Sequence, residues 1–282
     1  MSETDPSETD RSGTDPSEAR PTRTGPTAST VLLHVEPAAR AGSWNMATDE
    51  YLLEAALAAN LKAARMYRWE QATISLGYFQ DSNDDALSRT FQNLPAVRRL
   101  SGGGAILHHQ ELTYSFVLPA NDPLTREPTE LYTRVHTAII DVLREFGVDC
   151  VMRGEDEPEP DEPFLCFVRS DRHDIHCNGH KVVGSAQRRR KGAVLQHGSI
   201  LLEHSPHAPQ IPGICDLTDS LQINTSSPNR FDKLEAHLGA AIAETLGSMQ
   251  QIDEWPLGAA ARIAELEADR YRSLSWNREK GR

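Results

Sequence analysis

The sequence predicts an α/β (α+β) protein built on a mixed, largely antiparallel sheet flanked by helices. Two observations carry that prediction. Short runs rich in apolar residues outnumber helical stretches and fall in adjacent pairs with short turns, as strands of an antiparallel or mixed sheet do. Longer stretches with apolar residues near helical spacing lie between and after them, suited to covering the sheet. The 282 residues, 38% hydrophobic and 25% charged, are enough for one large domain or two small ones with a buried core.

Taken in order, the chain opens on a polar tail over residues 1–30. MSETDPSETDRSGTDPSE is a near-repeat of Ser, Asp, Thr, Glu and Pro without aromatic or branched apolar side chains, so it cannot bury enough surface to offset chain entropy. Order is expected from Val31, where VLLHVE reads as a short strand. Residues 45–64 carry Met46, Leu52, Leu53, Ala56, Leu57 and Leu61 close to helical spacing, with Thr48 and Asp49 in the first turn, and read as an amphipathic helix. Strands are expected at 74–79, 105–107 and 113–118, then a helix over 130–146 that ends at Gly147. EDEPEPDEP, at 155–163, has six acids and three prolines, which excludes regular structure and reads as a solvated loop. Asn178-Gly179 is the strongest two-residue hairpin signal in the chain and places Lys181 at the start of the returning strand. A strand over 193–202 and helices over 231–246 and 257–271 complete the reading, giving one folded domain over 31–250 and a C-terminal helix and tail over 251–282.

Composition narrows the class. A formal net charge of −12 makes nucleic acid an unexpected partner, although local basic patches could still meet an acidic protein. No apolar run approaches the length of a membrane span and the N-terminus lacks a basic-then-apolar signal pattern, so no membrane association is expected and a cytoplasmic location is. The four cysteines, Cys150, Cys166, Cys177 and Cys215, show no CxxC spacing and read as free thiols, of which a functional one would be a nucleophile.

Two blocks carry the chemistry. Residues 98–113 read RRLSGGGAILHHQELT, where three glycines between an arginine pair and an apolar run allow positive φ and close approach of backbone to a ligand: a substrate-cradling loop entering a strand. Residues 178–202 read NGHKVVGSAQRRRKGAVLQHGSILL. The first block resembles the RRxxGGGAVxH loop, and the second the GKKxxGSAQ segment and following strand, of the lipoate–protein ligase A and octanoyltransferase family, whose fold is shared with biotin protein ligases. NMATDEYLLE and RMYRWEQATISLGYFQ resemble that family's opening helix and first strands, so the likeness runs in order from about Trp44 to Leu221.

That resemblance implies a biotin/lipoate protein ligase-like catalytic domain over 31–250. Substrate-binding positions carry over to Arg99, Gly102, Gly103, Gly104 and His108 from the first block, and to Gly184, Ser185 and Ala186 from the second. In the octanoyltransferase branch a Cys-Phe pair precedes the motif lysine by fifteen residues, the interval that separates Cys166 from Lys181. The resemblance therefore implies Cys166 as nucleophile and Lys181 as the ammonium facing the acyl carbonyl. A thiolate can take an acyl group from a thioester at little cost in free energy and pass it downhill to an amine, so neither ATP nor a cofactor is expected. The implied partners are octanoyl-acyl carrier protein as donor, and a lipoyl domain or glycine cleavage H protein as acceptor. The alternatives are an ATP-dependent lipoate–protein ligase and, outside enzymes, a lipoyl- or acyl-carrier-binding module. About sixty residues after Leu221 leave less room for the accessory domain common in ligases, which favours the transferase.

Each position also has a bland reading. Cys166, between Leu165 and Phe167, would as an arbitrary cysteine be an inert buried thiol; the interval to Lys181 favours the nucleophile. Lys181 at a hairpin end would contribute little to folding. The family usually has a second basic residue before the lysine, where this chain has His180. His173, His176, Cys177 and His180 fall within eight residues, but strand alternation sends neighbours to opposite faces, so exposed hairpin histidines are expected and no metal site. Either His108 or His109 is expected to close the glycine loop at the substrate mouth. The run 188–191 is a solvated turn or a basic patch steering an acidic protein.

Overall fold

The computed structural model describes residues 30–81, 89–154, 165, 167, 171–219, 221 and 229–279. The polar tail up to residue 29, the acidic segment 155–163 and Cys166 lie outside the described residues. The chain enters on β1 (Thr30–Val35) and α1 (Gly42–Ala59), followed by β2 (Ala63–Tyr67), β3 (Thr73–Leu76), β4 (Ala96–Arg98), β5 (Ile106–His108) and β6 (Glu111–Leu118). Helix α2 (Pro128–Glu145) leads to β7 (Val151–Met152), β8 (Ile175–Cys177), β9 (His180–Arg190) and β10 (Ala193–Leu201). Then come α3 (Ile214–Leu217), α4 (Asp232–Leu246), β11 (Ser248–Gln251) and α5 (Ala259–Leu266), prolonged by wider helical turns over Glu267–Tyr271 and Ser275–Glu279.

The main sheet has the order β11-β1-β2-β6-β10-β9-β8-β7, and a smaller one the order β4-β3-β5. In the main sheet β1 runs parallel to β11 and β2, and the remaining pairs are antiparallel, the mixed and largely antiparallel sheet expected. All residues of β6 and β10 are buried, as central strands covered on both faces must be. On one face α2 and α4 bring Leu131, Val135, Ile139, Leu234, Leu238 and Ile242 onto Leu33, Met66, Tyr114 and Phe116. On the other, Leu52, Leu53 and Ala56 of α1 pack on Val117 and Leu195, each leucine or valine contributing about 1.5–3 kcal/mol of transfer free energy.

The first helix differs from expectation. It spans Gly42–Ala59 rather than 45–64, because Asn60 turns left-handed at φ 54 and the next residues become β2. β2 is buried at every position, so its apolar run shows no alternation and continues the helical pattern. Lys62, the last residue of this turn, is buried, donating to the Leu246 carbonyl at 2.8 Å and pairing with Asp122 at 2.6 Å. Elsewhere the differences are small: α2 starts at Pro128, which suits the first helical position, and Gly147 beyond its end takes φ 85. β3 stops at Leu76, before Gly77, where the glycine loop crosses. Among the described residues no helix is long and apolar enough to cross a membrane.

Candidate active site

The glycine loop joins β4 to β5 and is held from beneath by an arginine. Arg99 is 1% exposed and spends all five N–H groups inside the protein. Its Nε donates to Ser101 Oγ at 3.2 Å, Nη1 to the Ser75 carbonyl and hydroxyl at 2.8 and 3.2 Å, and Nη2 to the carbonyls of Gly102 and Gly104, both at 2.7 Å. The geometry thus gives Arg99 the work of fixing the loop on which a substrate would rest. Gly103 takes φ 92, in the region that favours glycine. A Cβ on Gly102 would meet nothing within 4 Å, so its face is open. Gly77, just past the end of β3, has the opposite constraint: a Cβ there would lie 1.9 Å from the Gly103 carbonyl oxygen.

Beside the loop lies a cavity of about 290 Å³ bounded by Arg99, Ile106, His108, Gly184, Ser185 and Ala186, with His197 and Ser199 behind them. It brings both sequence blocks to one place, because β10 pairs with β9 on one side and β6 on the other. His108 is buried, stacked on Trp69 at 3.8 Å, and linked through Nδ1 to Glu111 and through Nε2 to Ser75, both at 2.7 Å. Burial pushes its pKa down, against the pull of Glu111. His109 lies instead on a neighbouring groove of about 380 Å³ with Ile106, Leu107, Leu165, Phe167 and Ile211. Of the two histidines, His108 lines the cavity by the loop. Ser185 contributes only part of itself to that cavity, since its hydroxyl reaches His136 Nε2 at 2.8 Å on the far face of β9.

The hairpin turn is formed by Asn178 and Gly179 at φ 48 and 81, with Cys177 opposite His180. Lys181 accordingly lies at the start of β9, just after His180, but it is not a surface lysine. Its side chain is 6% exposed and its Nζ pairs with Asp174 Oδ2 at 2.8 Å, while the Phe167 ring lies 5.2 Å away. A Cβ on Gly184 would meet the Lys181 Cε at 2.7 Å, so the missing side chain makes room for the lysine to lie along the strand. Burial raises the Asp174 pKa and Lys181 opposes the rise. Cys166 lies outside the described residues, but both neighbours are described: Leu165 bridges Ala105 at the exit of the glycine loop, and Phe167 faces Lys181. Cys150 and Cys177 are buried free thiols and Cys215 is half-buried; burial pushes Cys150 up to about 12 and Cys215 up to about 11, which suits none of them to act as a thiolate.

The family model for the lipoyl protein ligase A/B catalytic domain matches residues 42–238, more than half of the chain. The chain belongs to that family. The octanoyltransferase LipM of Clostridioides difficile (strain 630) is 36% identical over 168 residues, covering 57% of this chain and 62% of the relative, so the chain spans less than two thirds of that protein. Octanoyltransferase LipM of Kyrpidia tusciae is 31% identical over 276 residues, covering 88% of this chain and 98% of the relative. The bi-partite lipoate protein ligase of Thermoplasma acidophilum superposes on 90% of this chain and 96% of its own with a TM-score of 0.63; at 21% identity this is a likeness of fold.

Within this family fold the geometry adds residues that sequence reasoning passed over. Asp49 of α1 is buried, its Oδ2 3.0 Å from His197 Nδ1, and its Oδ1 accepts from Ser115 at 2.7 Å and Arg65 at 3.1 Å. Burial would raise its pKa, but His197 and Arg65 outweigh that and hold it below its ordinary value. His197 Nε2 in turn meets the Ser101 hydroxyl. Since Arg99 only donates, Ser101 and Ser75 accept from it and give their own hydrogens to His197 and His108, whose Nδ1–H groups then face Asp49 and Glu111. A continuous hydrogen-bonded chain therefore runs under the glycine loop from Asp49 to Glu111. A signal existed: Asp49 falls three, four and seven residues before Leu52, Leu53 and Ala56, on the buried stripe of the helix. Among the described residues no three His, Cys, Asp or Glu side chains gather to hold a metal; His173 pairs with Asp171 and Cys177 enters the core.

Proposed function

We propose that the chain is an octanoyltransferase that moves an octanoyl group from a carrier-protein thioester through Cys166 to a lysine of a lipoyl domain or glycine cleavage H protein. The observation that carries this reading is the octanoyltransferase relative aligned over 98% of its length. The geometry supports it: the two chain neighbours of Cys166 touch the glycine-loop exit and the Lys181 environment, and they line the groove that shares Ile106 with the cavity bounded by both blocks. In the first step the Cys166 thiolate attacks the donor carbonyl, the bond to the donor sulfur breaks, and the carrier thiolate takes up the proton given up by Cys166. In the second the acceptor amine attacks the new thioester, the carbon–sulfur bond breaks, and the amine's proton ends on the Cys166 sulfur. Lys181, held in place by Asp174, offers a positive charge to the oxyanion formed in each step. The balance needs no nucleotide.

Incubation with octanoyl-acyl carrier protein followed by intact-mass spectrometry is expected to show one octanoyl adduct on the protein, absent from Cys166→Ala. A Cys166→Ala protein that retains full transfer would remove the mechanism, and a strict requirement for ATP would favour the ligase.

A further inference from the structure

Beyond Ala186, the last residue of β9 to line the cavity, the strand carries basic residues and meets an aromatic pair that the chemistry above does not use. Along β9 alternate residues share a face, so Gly184, Ala186, Arg188 and Arg190 look toward the cavity side, whereas Ser185 and Arg189 face α2. The contacts agree: Arg189 donates to the Thr125 carbonyl at 2.7 Å on the α2 side, and Arg188 lies 4.7 Å over the Tyr78 ring, on the side of the glycine loop. Tyr78 is fastened to that loop through its N–H to the Ser101 carbonyl at 2.8 Å, and its ring meets Phe79 edge-on at 4.8 Å. Phe79 is 80% exposed, a large apolar side chain left in solvent beside the site. Beyond Arg188 the strand ends in exposed Arg190 and Lys191, the latter at φ 48 in the tight turn to β10.

Three cations thus follow at the end of β9 and its turn, the first of them over Tyr78 of an aromatic pair whose Phe79 is exposed, on a protein whose net charge is −12. At about 3.4 Å per residue, Arg188 is about 7 Å and Arg190 about 14 Å from Ala186 along the strand. We propose that this strand end docks an acidic carrier protein that presents its acyl group on a phosphopantetheine-type arm, with the arm's phosphate toward Arg188 and the carrier's acidic surface against Arg190 and Lys191; this rests on the transferase reading. The spacing selects the long-armed donor: a protein seated at the hairpin tip must bridge more than ten ångströms to Ala186, about four strand residues, farther than an acceptor's lysine side chain extends.

The test compares wild type with Arg190→Glu/Lys191→Asn, asparagine being chosen because it tolerates positive φ. Thioester formation is followed against octanoyl-acyl carrier protein and against octanoyl-N-acetylcysteamine, which has the thioester without the protein. The variant is expected to raise the KM for the carrier donor about tenfold with little change in maximal rate, to leave the small donor within about twofold, and to lose the salt dependence that wild type shows with the carrier. An unchanged KM for the carrier, or equal loss with both donors, overturns the docking surface. A raised KM for the lipoyl-domain acceptor alone overturns it too and gives the strand end to the acceptor. If wild type acquires no octanoyl group from either donor, the transferase reading falls, and titration of both proteins with the unacylated holo-carrier by fluorescence anisotropy still decides the docking: weaker binding by the variant upholds it, and equal or absent binding overturns it.

Discussion

Breaking the Lys181–Asp174 pair has consequences that a surface lysine would not have. Both side chains are about 5–6% exposed and the charged atoms are 2.8 Å apart, so removing the lysine leaves the Asp174 carboxylate without its counter-charge in a nearly dry site. Such a loss costs about 3–5 kcal/mol. For a domain of this size that amounts to a fall in Tm of roughly 10 °C. Lys181→Met, which keeps the length of the side chain, should show that fall at pH 8 by thermal melting. The penalty should shrink toward pH 5. Without Lys181, the already raised pKa of Asp174 rises further, so the native state holds more protons than the unfolded one and stability is lost as pH climbs through that window. Replacing both partners, as Lys181→Met/Asp174→Asn, removes both charges and should return stability to within about 2 kcal/mol of wild type. The rate behaves differently. Single-turnover thioester formation should fall about a hundredfold or more in both Lys181→Met and the double variant, because restored stability does not restore the charge facing the oxyanion. A Lys181→Met protein with unchanged melting would refute the buried pair, and recovery of the rate in the double variant would refute the catalytic role of Lys181.

Other expectations follow from the loop and its supports. Gly102→Ala should leave stability within about 0.5 kcal/mol, since its Cβ enters open space, yet slow acyl transfer if that space is the acyl group's; Gly103→Val, at φ 92, should lose acyl-adduct formation altogether, and normal adduct formation by both would make the loop a structural turn. Gly77→Ala places a methyl 1.9 Å from the Gly103 carbonyl and should destabilise by more than about 2 kcal/mol in urea melts, with the acylation rate falling as the loop is displaced. His136 is held neutral by burial, which pushes its pKa down to about 4 against the carbonyl of His173. The unfolded chain binds that proton first, so about 3 kcal/mol of stability should be lost as pH falls from about 6.5 to about 4, and His136→Gln should flatten that slope; an unchanged slope would place the pH dependence elsewhere.

How much of this was legible in the sequence depended on whether the signal was local. Asn178-Gly179 fixes its own turn through its φ angles, and with it the start of β9 at the residues expected. The strands at 113–118 and 193–202 needed only their apolar runs, and are found at Glu111–Leu118 and Ala193–Leu201. Where a strand is buried on both faces beside a helix the run has no period to read, which is why residues 63–64 were assigned to α1. Of the smaller sheet, the strands expected at 74–79 and 105–107 are found as β3 and β5, and only β4 has no counterpart in the sequence reading, because it has three residues and is paired only through β3. In the site, the glycine loop and the motif around Lys181 were visible as words in the sequence, but their partners were not. Ser75 and His197 reach Arg99 and Ser101 from 24 and 96 residues away, and no local pattern marks such contacts. The burial of Lys181 was likewise hidden, because Asp174 meets it only through the bulge between β8 and β9.

Arg98, the neighbour of Arg99, carries a consequence for the order in which the molecule comes together. Its guanidinium gathers the Gly77 and Gln80 carbonyls at 2.8 and 2.7 Å, and it also donates to the Trp276 and Asn277 carbonyls, while Asn277 Oδ1 accepts from the Arg98 N–H at 2.9 Å. The turn on which the glycine loop rests is thus tied to chain 178 to 179 residues downstream. During synthesis, at about 5–20 residues per second, an arginine bound for full burial must wait on the order of ten seconds for its acceptors to be made. The central strands can pair in that interval; the seat of the loop cannot close. Until residue 277 has left the ribosome, the nascent chain would hold a sheet without a finished site, and so would not capture an acyl group before the fold that protects it is complete.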